Sequence, residues 1–231
     1  QLLFMDILKE RAETGRIYIM NIDHCNTHSS FKDKVYMSNL CQEITLPTTP
    51  LDHIDDEKGE IALCILSAIN LGLIRDKDEL EGLCDLSVRA LDEIIDYQEY
   101  PIEAARISAE SRRSLGIGYI GLAHYLAKNH VKYDDPKALE LVDETTEAFQ
   151  YYLLKASNNL AKEKGKCDYF HKTKYSDGIL PIDTYKKDLD KVIKRKLSYD
   201  WKQLRKDIQE HGLRHSTLSA QMPSESSSVV S

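Results

Sequence analysis

Apolar residues between positions 2 and 12 precede Gly15, and the spacing predicts a short helix that this glycine closes. Ile17-Tyr18-Ile19-Met20-Asn21-Ile22 follows. Its β-branched residues cluster without an alternating polar face, which predicts a buried strand, and a polar stretch runs from Asp23 to Lys34. A second apolar run, Ile61-Ala62-Leu63-Cys64-Ile65-Leu66, is too brief for its period to separate strand from helix. Asn70 and Gly72 after it favour a strand. From Asp78 to Tyr97 the residues Leu80, Leu83, Cys84, Val88, Leu91, Ile94 and Ile95 recur at three- and four-residue steps. Asp76 and Glu79 form a capping-box pattern ahead of them. Asp135-Pro136 marks the start of a longer helix that carries Leu139, Val142, Phe149, Tyr152, Leu153, Ala156 and Leu160 inward and stops at Gly165. Another helix is predicted from about Asp200 to His211, before Gly212. Strands alternating with helices imply an α/β architecture, with neither repeats nor an internal linker.

Composition narrows the function classes. The chain has 231 residues, of which 42% are hydrophobic and 30% charged, enough for one sizeable core. A formal charge of −7, with no basic stripe, argues against DNA or RNA as a partner. No run reaches the length of a membrane span, and the opening residues lack a signal-type pattern, so the expected location is cytoplasmic. Five widely spaced cysteines, with no C-x-x-C pair, suggest neither a disulfide scaffold nor a four-thiolate metal site. The first residue is not Met and the last are Ser228-Val229-Val230-Ser231, so both ends read as cut.

Candidate chemistry concentrates in Ser38-Asn39-Leu40-Cys41-Gln42-Glu43-Ile44-Thr45-Leu46-Pro47. Asn39, Cys41 and Glu43 are spaced by two, which in an extended backbone places an amide, a thiol and a carboxylate on one face. From spacing alone, a solvated strand face with a buried cysteine is the commoner outcome.

That run, with Pro47-Thr48-Thr49-Pro50-Leu51 and Gly59-Glu60-Ile61-Ala62-Leu63-Cys64 after it, resembles the core of class I ribonucleotide reductase large subunits. The resemblance continues through 90–97, 151–158, 178–190 and 216–220 and so covers nearly the whole chain. It implies that residues 1–231 are a portion of the ten-stranded α/β barrel of those subunits, incomplete at both ends and without a second domain.

The same resemblance implies roles for individual residues. Cys41 matches the loop-borne cysteine that becomes a thiyl radical and takes the 3′ hydrogen of a ribonucleoside diphosphate. Sulfur is soft enough to hold an unpaired electron, and a water-poor barrel protects it. Glu43 matches the carboxylate that accepts the 3′-hydroxyl proton, and Asn39 the amide that orients substrate and carboxylate. Leu40 and Gln42 complete the substrate-binding run. Cys64 matches one of two thiols oxidised to a disulfide, its partner lying upstream in the family; its apolar neighbours Leu63 and Ile65 would otherwise mark it as structural. Pro223, Ser224, Glu225, Ser226 and Ser227 match the segment that holds the substrate diphosphate at a helix N-terminus.

No cofactor is expected in the chain itself. A metal-containing small subunit would supply the radical, a thioredoxin- or glutaredoxin-type thiol would re-reduce the cysteines, and complementary large-subunit segments would complete the barrel. The chain alone is expected to be inactive.

Three other readings compete. Gly116-Ile117-Gly118-Tyr119-Ile120-Gly121 satisfies G-x-G-x-x-G and raises a nicotinamide-dependent dehydrogenase, but the polar residues 109–114 precede it where an apolar strand is required, so the glycines read as a tight connection. His24, Cys25 and His28 are potential metal ligands that read as part of a polar loop, and no metal is assigned. Exposed charge at Lys186-Lys187-Asp188 is compatible with a non-catalytic interaction module.

Overall fold

The computed structural model describes residues 1–192, 195–224 and 227–229. Two parallel strands, β1 (Ile65–Asn70) and β2 (Leu115–Ile120), pair in register from Ile65 opposite Leu115 to Asn70 opposite Ile120. Residues 217–220 extend this sheet along the far side of β2, with Ile117 and Ser219 forming a parallel bridge. The Leu115 and Ile117 amides donate to Thr217 and Leu218 carbonyls at 3.1 and 2.8 Å. The sheet stays open among the described residues, as an incomplete α/β barrel must.

Helices α3 (Lys77–Tyr97) and α6 (Pro136–Lys164) pack against each other, and α3 also lies on the sheet. The start of α3 follows from its cap: Asp76 accepts from the Asp78 and Glu79 amides at 3.1 and 3.0 Å. The return half of the predicted box reaches one residue further, Glu79 accepting from the Arg75 amide at 2.9 Å. Leu80, Cys84, Val88, Leu91 and Ile95 are buried at helical spacing, whereas Ile94 lies off that stripe and is 43% exposed. In α6 the Asp135 side chain caps the Lys137 amide, and Gly165 ends the helix, both as predicted. Leu139 is the exception, at 72% exposed. The inward stripe at that end runs through Ala138, Thr145 and Ala148, and one residue along a helix is a rotation of about 100°. Helix α7 (Trp201–His211) begins at the cap Asp200 and closes the core with Trp201, Leu204 and Ile208. Each such buried Leu or Ile contributes about 1.5–3 kcal/mol relative to exposure.

The glycine run is mainly strand. Gly116 and Gly118 lie inside β2, where a Cβ on Gly118 would meet the Ala220 carbonyl oxygen at 2.4 Å. Their absent side chains admit the neighbouring backbone. Only Gly121, with φ of 73°, turns the chain, into α5 (Leu122–Lys128). The phosphate-binding turn of a nicotinamide site would need its first glycine at the strand end, so this geometry removes the dehydrogenase reading.

Two further expectations are corrected near the start of the chain. Helix α1 (Leu2–Thr14) ends at Gly15 as predicted, but residues 17–21 have no ladder partner among the described residues, and Tyr18 and Ile19 are exposed. An apolar run becomes a buried strand only where neighbours cover both its faces, and here Met20 packs on the Phe31, Val35 and Leu46 cluster while Tyr18 and Ile19 stay uncovered. Ile22 instead opens α2 (Ile22–His28), so His24, Cys25 and His28 sit on a short helix rather than in a polar loop. The strand expected at 61–66 is displaced to β1. Residues 61–64 lead into it without pairing, and Asn70 ends it by accepting from the Gly72 amide at 3.0 Å.

Candidate active site

The segment from Val35 to Cys64 leaves the packed framework and returns to it. Val35 is buried and anchored by Asn26, whose amide group mimics a strand neighbour: its Oδ1 accepts from the Val35 amide at 2.8 Å and its Nδ2 donates to the Val35 carbonyl at 2.9 Å. Beyond it the chain reverses. The Asn39 amide donates to the Ile44 carbonyl at 3.2 Å, the Gln42 amide donates to the Asn39 carbonyl at 3.2 Å, and Asn39 Oδ1 accepts from the Ile44 amide at 3.1 Å. Gln42 adopts a φ of 60°, the left-handed conformation such a reversal needs.

Asn39, Cys41 and Glu43 therefore do not line one face of an extended strand. The Asn39 side chain supplies a bond that a neighbouring strand would have supplied, and a turn replaces the strand. Leu40, Cys41 and Gln42 form its exposed tip. No water-excluding wall covers Cys41 among the described residues.

At the base of the turn lies a cavity of about 540 Å³ bordered by Asn39, Glu43, Thr49, Glu60 and Cys64, with Leu46 and Leu66 among its apolar residues; Leu40, Cys41 and Gln42 do not border it. Glu43 is half-buried, and its Oε2 is enclosed without a hydrogen-bond partner among the described residues. It is an acceptor not spent on the protein. Burial, reinforced by the nearby Glu43 carboxylate, pushes the Cys64 thiol up to about 12. Cys64 is thus held as S–H, a form that can give up a proton or a hydrogen atom but is not a ready nucleophile. Burial likewise raises Cys84 and Cys167 to about 12, and both belong to the hydrophobic core.

Sequence reasoning missed Glu60 and Thr49 on this cavity. Thr49 and Glu60 exchange two backbone bonds, both 3.1 Å, which brings the 47–51 turn to the cavity edge. Nothing local marks Glu60, because what buries it is Arg112, distant in sequence. At the opposite end of the chain, Pro223 is exposed and Ser224 half-buried, directly after the sheet-pairing segment 217–220, and neither borders the 540 Å³ cavity. Ser227 opens a short 3-10 turn, Ser227–Val229. Glu225 and Ser226 lie outside the described residues. Among the described residues no helix is long and apolar enough to cross a membrane.

The structure thus sets an exposed thiol-bearing turn beside a cavity that holds an amide, a carboxylate oxygen without a protein partner among the described residues and a second thiol, next to an open parallel sheet. The chain belongs to the ribonucleotide reductase barrel-domain family, whose pattern it matches over residues 1–231. It is 63% identical over 232 residues to the ribonucleoside-diphosphate reductase subunit alpha of Haemophilus influenzae, covering 99% of this chain and 31% of that protein. Ribonucleoside-diphosphate reductase 1 subunit alpha of Escherichia coli is 60% identical, with 99% and 30% covered. The subunit alpha of Enterobacteria phage T4 is 44% identical, again with 99% and 30% covered. The chain therefore spans about 30% of the length of these relatives.

Proposed function

We propose that this chain is a portion of the catalytic barrel of a class I ribonucleoside-diphosphate reductase large subunit, active in the cytoplasm once complementary large-subunit segments and a small subunit complete it. The observation that carries this reading is the meeting of Asn39, Glu43 and Cys64 on one cavity at the base of the turn whose tip carries Cys41. A metal-containing small subunit supplies the oxidising equivalent. Cys41, as a thiyl, takes the 3′ hydrogen and becomes a thiol, leaving a carbon radical on the ribose. Glu43 accepts the 3′-hydroxyl proton through its free oxygen, and Asn39, braced by the Ile44 amide, orients the sugar. The 2′ oxygen then departs as water, protonated by a thiol pair to which Cys64 belongs; the pair gives up two electrons and two protons in all, so that C2′ gains a hydrogen, and closes to a disulfide, which a thioredoxin- or glutaredoxin-type thiol reopens. Glu43 returns its proton to the 3′ oxygen, and the Cys41 thiol returns its hydrogen to C3′ and becomes the thiyl again. Pro223 to Ser227, with Leu40 and Gln42, complete the contacts to the diphosphate and sugar.

The two cysteines must fail differently. In the complete subunit with small subunit, effector and nucleoside diphosphate, Cys41→Ser abolishes substrate radical formation, because the same oxidant cannot generate an oxygen radical on serine. Cys64→Ser still permits 3′ hydrogen removal, so the substrate radical decays with release of free base and loss of the small-subunit radical. Electron paramagnetic resonance and chromatography of free base read both outcomes. Base release by Cys41→Ser and none by Cys64→Ser would overturn the assignment.

A further inference from the structure

Arg112 is the last residue of α4 (Glu103–Arg112), and its side chain is buried, 2% exposed, far along the sequence from the reactive turn. Its Nε donates to Glu60 Oε2 at 2.6 Å and its Nη2 donates to Glu60 Oε1 at 3.0 Å, a forked pair with a carboxylate that is itself only 6% exposed. The same Nη2 donates to Asp33 Oδ2 at 2.7 Å. Asp33 stands where the chain enters the excursion that carries Asn39, Cys41 and Glu43, and Glu60 stands where it leaves.

Aromatic rings flank the guanidinium, and a second cation shares the Glu60 carboxylate. Its central carbon lies 5.1 Å from the Tyr169 ring centroid and 5.9 Å from that of Phe31. Lys172 lies over Tyr169 at 3.6 Å and reaches Glu60 Oε1 at 3.8 Å. Backbone bonds repeat the pattern: the Lys32 amide donates to the Lys172 carbonyl at 2.9 Å, and the Ile61 amide to the Ala104 carbonyl at 3.1 Å. Both feet of the excursion are thus fastened to the framework, while its tip is exposed.

We infer that Arg112 is a positioning residue that staples the two feet of the 33–60 excursion and so sets the place of the Cys41 turn relative to the cavity at its base. A loop tethered at both ends samples far fewer conformations than a free one. Hydrogen transfer demands such restriction, since a displacement of about 1 Å costs on the order of a hundredfold in rate. Glu60 borders the cavity as well as holding Arg112, so the staple acts on the cavity wall itself. The rate consequence rests on the function proposed above; the mechanical consequence does not.

The test uses the complete large subunit with its small subunit and compares Arg112→Lys, Asp33→Ala and Asp33→Glu with the parent. Lysine carries the charge but lacks the fork and cannot hold both carboxylates in this geometry. Amide hydrogen exchange between residues 36 and 48 is expected to quicken about tenfold or more in Arg112→Lys and Asp33→Ala, with α3 and α6 unchanged. In the same variants kcat falls about tenfold while KM for nucleoside diphosphate stays within about twofold. Asp33→Glu restores the carboxylate and most of both properties. Should Arg112→Lys fail to fold, Asp33→Ala carries the test, because the Asp33 side chain is 37% exposed. Unchanged exchange over 36–48 in Asp33→Ala overturns the inference. Faster exchange in the variants, with a parent enzyme that reduces no ribonucleotide, sinks the proposed function and leaves the staple standing.

Discussion

Residues 65–218 and residues 1–64 are built on opposite terms. The first region holds β1, β2, α3, α6 and α7 around one core, and its caps, strands and buried side chains support one another. The second has only a small cluster around Phe31, Val35 and Leu46, and Leu2, Leu3, Phe4 and Met5 of α1 all lie exposed. Yet the turn proposed to be reactive belongs to the second region. A dense core gives a rigid reference frame but little room for a substrate, whereas a tethered excursion can present a thiol over a cavity while borrowing its rigidity from the frame.

The largest blow to the first region is expected at Asp92. This carboxylate is fully buried and accepts from Arg113 Nε at 2.6 Å, Arg214 Nε at 3.2 Å and Lys164 Nζ at 3.4 Å, with His215 Nε2 at 3.2 Å. Asp92→Ala leaves Arg113 with Asp96 and strips Arg214 Nε and His215 Nε2 of this carboxylate, and it costs about 4 kcal/mol, read from the urea midpoint or from global exchange of α3 and α6 amides. A change smaller than about 1 kcal/mol would mean that this polar knot does not hold the frame together. Next comes Leu153→Ala, at the centre of α6 and fully buried, which costs about 3 kcal/mol by the same measurement.

A smaller, graded effect comes from pH. Burial pulls the His215 imidazole below its usual range, although Asp92 opposes this, so the folded state favours neutral His215. Burial of Asp92 is outweighed by its hydrogen bonds from His215 and Arg113, which hold its carboxyl well below the usual range. Both groups take up protons on acid unfolding. Stability is therefore complete above about pH 6.5, starts to decline below it as His215 becomes protonated in the unfolded chain, and declines further below about pH 4 through Asp92. His215→Asn removes the upper part of that decline; an unaltered pH curve for this variant would refute the assignment.

The smallest effect belongs to the second region. Leu3→Ala on the exposed face of α1 changes the stability of this chain by less than about 0.5 kcal/mol, and α1 amides exchange long before those of α6. Protection of α1 equal to that of α6 would erase the contrast between the two regions.

The elements legible in the sequence are those whose cause is local. Asp76 before α3, Asp135-Pro136 before α6, Asp200 before α7 and the glycines at 15, 165 and 212 each act on backbone groups within a turn of themselves, so their effect needs no knowledge of the rest of the chain. The 38–47 run, its likeness to the reductases and its residue types were likewise open to reading, since a motif is a property of the chain alone. Tertiary structure decided the rest. Residues 17–21 lack a ladder partner among the described residues, while Gly116 and Gly118 become strand because β1 pairs along one side of them and the 217–220 segment arrives on the other. Asn39 bends its own chain once no partner strand competes for the Ile44 amide. Arg112, Glu60 and Asp33 carry no pattern that ties them together, because an ion pair between residues far apart in sequence exists only where the fold brings the charges within a few ångströms and removes the water between them.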